Sequence, residues 1–185
     1  MENKFLYAAR NIYNQENSGW ESYIQWSKLS HLNEVAGLDY MLNEDLVEVN
    51  REKKEYWDNM YISEAYESGL YKTSEFVLAN IKSIEKFNFL AVIIEPFQYC
   101  KEIALEDYDF LGYELLDLYF EISALTNCGG FDETFLPGYI NSFGLIDDFD
   151  KAYDIANRLY ENNPEEDHAN TNVIALWRHK YIGRG

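Results

Sequence analysis

A chain of 185 residues, of which 47% are hydrophobic, has the length and apolar content of one domain with a sizeable core. Its net charge of −18 argues against binding to nucleic acids or anionic membranes, because both require a basic surface. The longest apolar run, residues 89–94, is far shorter than the roughly twenty residues of a membrane span, and the N-terminus shows no secretory signal. The two cysteines suit neither a disulfide framework nor a four-ligand metal site, so we expect a cytoplasmic protein without metal or cofactor.

The charge is unevenly distributed along the chain. Residues 102–167 contain 17 acidic side chains and only two basic ones, Lys151 and Arg158. A concentrated negative field accelerates the encounter with a cationic partner by roughly 10 to 1000-fold. A basic protein partner is therefore expected if folding gathers these carboxylates onto one surface, and the alternative is that the charge only maintains solubility.

The first half of the chain predicts a strand, a helix and a second short strand. Residues 4–9 suit a strand, although their pattern does not exclude a helix. Ser18 and Glu21 have the spacing of a capping box, which predicts a helix over about 19–30 with Ser18 as its N-cap. Residues 46–49 predict a short strand, and the polar run 50–55 predicts a solvated loop or the start of a helix.

The middle of the chain predicts the central strand of the sheet. Thr73 or Ser74 can cap a second helix. Residues 87–94 are β-branched and aromatic without alternation, which indicates a strand buried on both faces and ended by Pro96. A short helix is expected over about 97–105. Two apolar runs, 111–116 and 120–125, predict a hairpin whose turn lies at 117–119.

The last third contains the clearest helical pattern. Asp147 or Asp148 can cap this helix, and one face of it carries Phe149, Ala152, Tyr153, Ala156, Leu159 and Tyr160. Pro164 stops it, and residues 173–177 predict a final strand. Together these elements predict an α+β fold, a single acidic domain over 1–185. We expect a mainly antiparallel sheet of about five or six strands with three to five helices packed against it.

One nucleophile and base pair has to be considered. Cys128 precedes two glycines and His168 follows three acids, so a thiolate activated by a histidine is one interpretation. A structural role for Cys128 is the other. The histidines and cysteines lack the spacing of a transition-metal site, and residues 106–109 lack the glycine and the distal glutamate of a calcium loop. The sequence shows no phosphate loop, dinucleotide-binding glycine pattern or nucleophile elbow.

Several segments resemble a group of small bacterial cytosolic proteins, the immunity proteins of polymorphic and contact-dependent toxin systems. The similar segments, which cover about half of the chain, are residues 26–35, 110–117, 122–131, 163–169 and 175–178. The resemblance implies a protein that binds a cognate toxin domain and blocks it, and it supplies no active-site residues. Toxins that attack nucleic acids are basic, so an acidic inhibitor gains charge complementarity.

The sequence therefore predicts a non-catalytic binding protein that neutralises a basic, nuclease-type toxin. Aromatic residues within the acidic segment are the expected anchors of the interface, and Tyr108 is the first candidate because acids flank it. The predicted partner-binding residues are Glu106, Asp107, Tyr108, Asp109, Glu114 and Asp117. The alternatives are a Cys-dependent hydrolase or transferase that uses Cys128 and His168, and an interaction module with no toxin partner.

Overall fold

The fold is built on an antiparallel sheet. The computed structural model describes residues 4–48, 50–63, 66–82, 85–126, 137–162, 164–165 and 169–184. Within these residues the strands are β1 (Leu6–Arg10), β2 (Tyr13–Asn14), β3 (Glu34–Val35), β4 (Met60–Ser63), β5 (Tyr66–Tyr71), β6 (Asn88–Ile94), β7 (Tyr108–Asp117) and β8 (Thr171–His179). The α-helices are α1 (Trp20–Ser27), α2 (Lys54–Asn59), α3 (Ser74–Asn80) and α4 (Phe149–Asn162), and Pro137–Tyr139 forms a 3-10 turn.

Six of the described strands form one sheet in the order β4-β5-β1-β6-β8-β7, and every neighbouring pair is antiparallel. The predicted α+β fold is confirmed, as are strands at the N-terminus, at 87–94 and near the C-terminus. Strand β6 is central, because its Ala91 pairs with Tyr7 of β1 on one side and with Trp177 of β8 on the other. A strand between two others, with both faces covered, explains why this segment is apolar without alternation.

Alternate residues of the central strands enter different hydrophobic clusters. One cluster contains Ala91, Ile93, Val173, Ala175 and Trp177, together with Trp20 of α1 and the buried face of α4. The intervening residues Leu90, Val92, Ile174 and Leu176 join a second cluster, which the loop residues Ala36, Leu38 and Phe120 complete. Both faces of the sheet are therefore buried, and the period of two along a strand does not distinguish core from surface here.

The sequence predicted an N-cap residue for three helices, and two of these three predictions are confirmed. Thr73 accepts a hydrogen bond from the Phe76 N–H at the start of α3, and Asp148 accepts one from the Lys151 N–H at 2.8 Å at the start of α4. The capping box at Ser18 was wrong. Helix α1 begins after Gly19, whose φ of 92° is left-handed, and the helix has no side-chain cap.

Two further predictions were wrong, and a third was confirmed in part. Residues 97–105 form turns and not a helix. The predicted hairpin is confirmed in its turn and direction. The Asp117 N–H donates to the Ile122 carbonyl oxygen at 2.9 Å and the Ala124 N–H donates to the Leu115 carbonyl oxygen at 2.8 Å, beside an antiparallel bridge between Leu116 and Ser123. Segment 120–125 is not a regular strand, and the long pairing of β7 is with β8. Within 46–49, Val47 makes an isolated bridge with Ile81 and belongs to no strand, while residue 49 lies outside the described residues.

Candidate partner-binding surface

The predicted partner-binding residues at the start of β7 divide into exposed acids and a packed ring. Glu106, Asp107 and Asp109 are exposed, and the Asp109 carboxylate lies 3.6 Å from the Lys180 ammonium. Tyr108 is half-buried, with its ring centroid 4.8 Å from that of His179, and burial raises the pKa of its hydroxyl. Tyr108 is therefore anchored inside this protein, which limits its role as an interface anchor.

Glu114 and Asp117 are buried, so the prediction that they contact a partner is wrong. The Glu114 carboxylate accepts the Leu38 N–H at 2.9 Å, and burial raises its pKa to about 8. Asp117 Oδ1 accepts the Glu121 N–H at 2.8 Å and the Ile122 N–H at 3.2 Å, which fixes the turn after β7. The Glu114 side chain lies buried on the second, covered face of the sheet.

A different acidic surface, which also carries exposed rings, forms where the segment after β6 meets α4. Its shallow depression has a volume of about 640 Å³. The lining residues are Glu95, Pro96, Phe97, Phe149, Asp150, Tyr153, Asp154 and Asn157. Together with Tyr99 and Tyr160 they make up the helix-α4 surface.

Glu95 holds the segment after β6 against β8. Its backbone is left-handed, with φ of 47°, and its Oε1 accepts the Val173 N–H at 2.6 Å. The Tyr153 hydroxyl of α4 bridges Glu95 Oε2 at 3.1 Å and the Pro96 carbonyl oxygen at 2.8 Å. Burial, with the Glu95 charge beside it, raises the pKa of Tyr153, which keeps the hydroxyl a donor. The chain after β6 is thereby fixed in place against α4.

Three aromatic side chains of the helix-α4 surface are exposed to solvent. Phe97, Tyr99 and Tyr160 are 53%, 50% and 57% exposed. The Tyr99 ring packs against Phe149 at 5.0 Å, and its hydroxyl bonds the Asp150 carboxylate. Tyr160 belongs to the face that the sequence predicted to be buried, so that part of the helical-face prediction is wrong. Exposed rings held by internal contacts have little side-chain entropy left to lose on binding a partner.

The charge of the helix-α4 surface is unequally compensated. Asp154 is paired with Lys151 at 3.7 Å and with Arg158 at 2.6 Å. Asp147, Asp148 and Asp150 are exposed near the N-terminus of the helix, and no ion pair to them is seen within the described residues. The negative end of the surface is therefore the start of α4.

An apolar groove of about 600 Å³ adjoins the helix-α4 surface. Glu95 and Phe97 line both, and Leu6, Met60 and Ile94 supply apolar walls of the groove. Trp57 and Ile62 on its rim are 40% and 47% exposed. Contiguous exposed apolar side chains next to a charged rim are typical of surfaces that bind another protein.

The acids at the start of β7 and those of the helix-α4 surface lie at different ends of the sheet. Asp109 pairs with Arg178 on β8, whereas Glu95 bonds Val173. These two β8 residues are five positions apart, which corresponds to about 17 Å along a strand. The described carboxylates of 102–167 therefore do not share one surface, so the expectation that folding gathers them is wrong. Two are buried, one group lies at the start of β7, another lies at the start of α4, and Glu102, Glu121, Glu161 and Glu165 are exposed elsewhere.

The other chemistry that the sequence raised is catalysis by a cysteine and binding of a metal ion. Cys128 and His168 lie outside the described residues. Cys100 is buried, and burial raises the pKa of its thiol to about 11, which disfavours the thiolate. Among the described residues, no group of three or more His, Cys, Asp or Glu side chains could hold a metal ion. None of the helices in that part of the chain is long and apolar enough to cross a bilayer.

Sequence reasoning missed Glu95, Phe97 and Tyr99 because it concentrated on the acidic segment that begins at residue 102. A usable signal was present: Phe97 and Tyr99 follow Pro96 at alternate positions beside Glu95. Comparison with protein-family models, curated proteins and solved structures found no match to this chain. The resemblance to immunity proteins therefore stays a prediction.

Proposed function

We propose that this chain is a non-catalytic cytoplasmic binding protein, an immunity protein that neutralises a basic toxin domain through the helix-α4 surface. The observation that carries the proposal is the position of three exposed rings, Phe97, Tyr99 and Tyr160, among the acids of α4 and Glu95. Aromatic residues dominate the binding energy of protein interfaces, and charges around them determine the approach of the partner.

The shape of the surface supports a protein partner. The depression beside α4 is open, and the adjoining groove adds apolar side chains that a partner would cover. The two together offer a hydrophobic centre with a charged rim, which is the usual anatomy of a protein interface. Phe97 borders both, so we expect it to lie near the centre of the contact.

The exposed acids at the start of β7 serve the same function from a distance. The exposed carboxylates of Glu106, Asp107 and Asp109 add to the negative field, whereas the ring of Tyr108 among them is half-buried. Charges at this distance from a contact change the association rate much more than the lifetime of the complex. We therefore assign them to attraction of the basic partner and not to its anchoring.

A protection assay tests the proposal. A candidate toxin domain, taken from the genes that neighbour this one in the native genome, is expressed from an inducible promoter, with and without this chain. We expect the wild-type chain to restore growth and to bind the inactivated toxin in calorimetry. The double variant Phe97→Ala and Tyr160→Ala should lose protection, with binding weakened by about 100-fold, since each anchor contributes about 1–2 kcal/mol.

The control is Tyr181→Ala, which removes a 70% exposed tyrosine just beyond the far end of β8. This variant should protect as well as the wild type. Failure of the wild-type chain to protect or to bind contradicts the proposed function. Full protection by the double variant contradicts the assignment to the helix-α4 surface.

A further inference from the structure

A second cleft, with a volume of about 370 Å³, lies away from the helix-α4 surface, and we call it the Arg10 cleft. Its walls come from the end of β1, from α2 and β5, and from the loops at 40–45 and 119–121. The lining residues are Arg10, Tyr40, Asp45, Arg51, Tyr56, Met60, Glu67, Ser68, Gly69, Tyr71, Tyr119, Phe120 and Glu121. This volume lies at the lower end of the range of small-molecule sites.

Arg10 is the incompletely bonded charge of this cleft. Its side chain is only 3% exposed, and its Nη2 donates to the Gly69 carbonyl oxygen at 3.2 Å. The Asp45 carboxylate lies 3.9 Å from Nη1, which is beyond hydrogen-bond distance. No acceptor among the described residues bonds its Nε. A buried guanidinium with this few partners is costly unless another acceptor completes its shell.

The backbone is shaped to hold Arg10 in this position. Gly69 has a φ of 64°, and a Cβ at this residue would lie 2.7 Å from Arg10 Nη2 and 3.1 Å from Asp45 Oδ2. Only glycine therefore allows the guanidinium and the carboxylate to lie against the strand at this point. The close approach fixes the guanidinium at the wall of the cleft.

Three other charged groups of the cleft, those of Arg51, Glu67 and Asp45, already have hydrogen-bond partners. Arg51 forms a bidentate pair with Glu67, with N–O distances of 2.9–3.1 Å, and the Tyr56 hydroxyl donates to the same carboxylate. Asp45 accepts the Val47 N–H at 3.1 Å and the Tyr71 hydroxyl at 3.2 Å. Arg10 is thus the charged group of the cleft that still needs a hydrogen-bond acceptor.

The buried carboxyl of Glu114 does not neutralise the charge of Arg10 at neutral pH. Glu114 approaches Arg10 closely enough for their charges to interact, yet its burial raises the pKa of Glu114 to about 8. At pH 7 the Glu114 carboxyl is therefore mostly neutral. Among the described residues, the ion pair of Arg10 is with Asp45, at 3.9 Å.

We propose that the Arg10 cleft is a binding site for a small organic monocarboxylate, whose carboxylate oxygens accept from the Arg10 guanidinium and whose apolar body lies against Tyr40 and Tyr119. A planar guanidinium offers paired donors that match the two oxygens of a carboxylate. Tyr40 and Tyr119 line the cleft and are 50% and 48% exposed, and the buried Phe120 lines it as well.

The acids in the cleft limit the ligand to one negative charge. Glu121 is exposed in the lining, and Asp45 and Glu67 complete three carboxylates around the space. A dianion would meet these charges without a second free cation, since Arg51 is engaged by Glu67. The ligand is thus a monocarboxylate with a flat or compact apolar body.

Nuclear magnetic resonance of the full chain tests this site with benzoate as the probe. Benzamide has the same ring without the charge, and inorganic phosphate has charge without a ring. We expect benzoate to shift the Arg10 Nε–H and Gly69 amide resonances saturably, with a dissociation constant of about 1 mM or below. Benzamide and phosphate should bind at least about tenfold more weakly, because benzamide lacks the charge and phosphate lacks the ring.

Variants separate recognition from folding. Arg10→Lys keeps the charge but not the paired donors, and Tyr40→Ala removes an exposed wall, so both should weaken benzoate by about tenfold. Tyr160→Ala on α4 is the matched control and should bind like the wild type. Should Arg10→Lys fail to fold, Tyr40→Ala and the resonances of the wild-type chain still decide the matter.

Three results overturn the proposal: no saturable shift at Arg10, equal affinity for benzoate and benzamide, or unchanged affinity in Tyr40→Ala. None of these results tests toxin binding, because the Arg10 cleft shares no lining residue with the helix-α4 surface and only Met60 with the adjoining groove.

Discussion

The carboxylate of Glu95 accepts a hydrogen bond from the Val173 N–H at 2.6 Å, while the Glu95 N–H donates to the Val173 carbonyl oxygen at 2.8 Å. This reciprocal pair joins the end of β6 to the start of β8. It also places the following residues, Phe97 and Tyr99, beside α4. A single left-handed residue thus connects the sheet to the proposed binding surface.

Replacement of Glu95 by alanine should lower the free energy of unfolding by about 1–3 kcal/mol, because the Val173 N–H loses an acceptor and the strained backbone stays. Glu95→Gln keeps an acceptor oxygen and should cost less than Glu95→Ala. Urea unfolding of the three proteins checks this order. Equal stability of Glu95→Ala and the wild type would show that the bond contributes nothing to folding.

Glu114 makes stability fall as the pH rises. Its folded pKa of about 8 lies above its usual value of 4.5, so between these values the folded chain binds more protons than the unfolded chain. The stabilising contribution is complete below pH 4.5 and is lost as the pH rises towards 8. The groups that act on Glu114 are the Leu38 N–H, Asp39, Arg10 and Ser123.

Glu114→Gln should remove this dependence. Between pH 5 and 8 the free energy of unfolding of the wild type should fall by about 2 kcal/mol or more relative to the variant. Urea unfolding of both proteins at several pH values measures this difference in the free energy of unfolding. Glu106→Gln, at an exposed acid of the same segment, is the control and should follow the wild type. Parallel curves for Glu114→Gln and the wild type would contradict the assignment.

The predictions from sequence succeeded where the decisive contact is local. Thr73 and Asp148 cap their helices through N–H groups three residues away, which the sequence displays directly. The return of 120–125 onto β7 was also predicted correctly, because its turn is local. The long pairing of β7 with β8, whose Leu176 lies opposite Gly112, was not predicted. Apolar runs indicate strands but do not identify a partner so distant along the chain.

The acidic surface with exposed rings beside α4 does not lie where the sequence predicted the partner-binding residues. Glu114 was predicted to contact a partner because it lies in the acidic segment among tyrosines. Both faces of this sheet are covered, so the alternation of β7 gives no exposed side at this residue. The bond between Tyr99 and Asp150, which joins two distant segments into one surface, has no local signal in the sequence.

The correction at α1 makes a testable contrast between two caps. Asp148→Ala should lower the free energy of unfolding by about 1 kcal/mol, because the Lys151 N–H loses its acceptor. Ser18→Ala should change it by less than about 0.5 kcal/mol, since no side chain caps α1. Thermal or urea unfolding of both variants gives the comparison. An equal loss in both would restore the capping box at Ser18.

Charge reversal at the start of α4 should slow association with the toxin domain. Asp150 is exposed at the negative end of the helix-α4 surface, and Asp150→Lys reverses its charge there. We expect the association rate constant to fall by about tenfold at low salt, with a flatter dependence on ionic strength and a smaller change in the dissociation rate. Stopped-flow fluorescence at several salt concentrations measures these rates. Glu75→Lys, on α3 and outside both the surface and its groove, controls for the change in total charge. If both variants slow association equally, the total charge and not the helix-α4 surface attracts the partner.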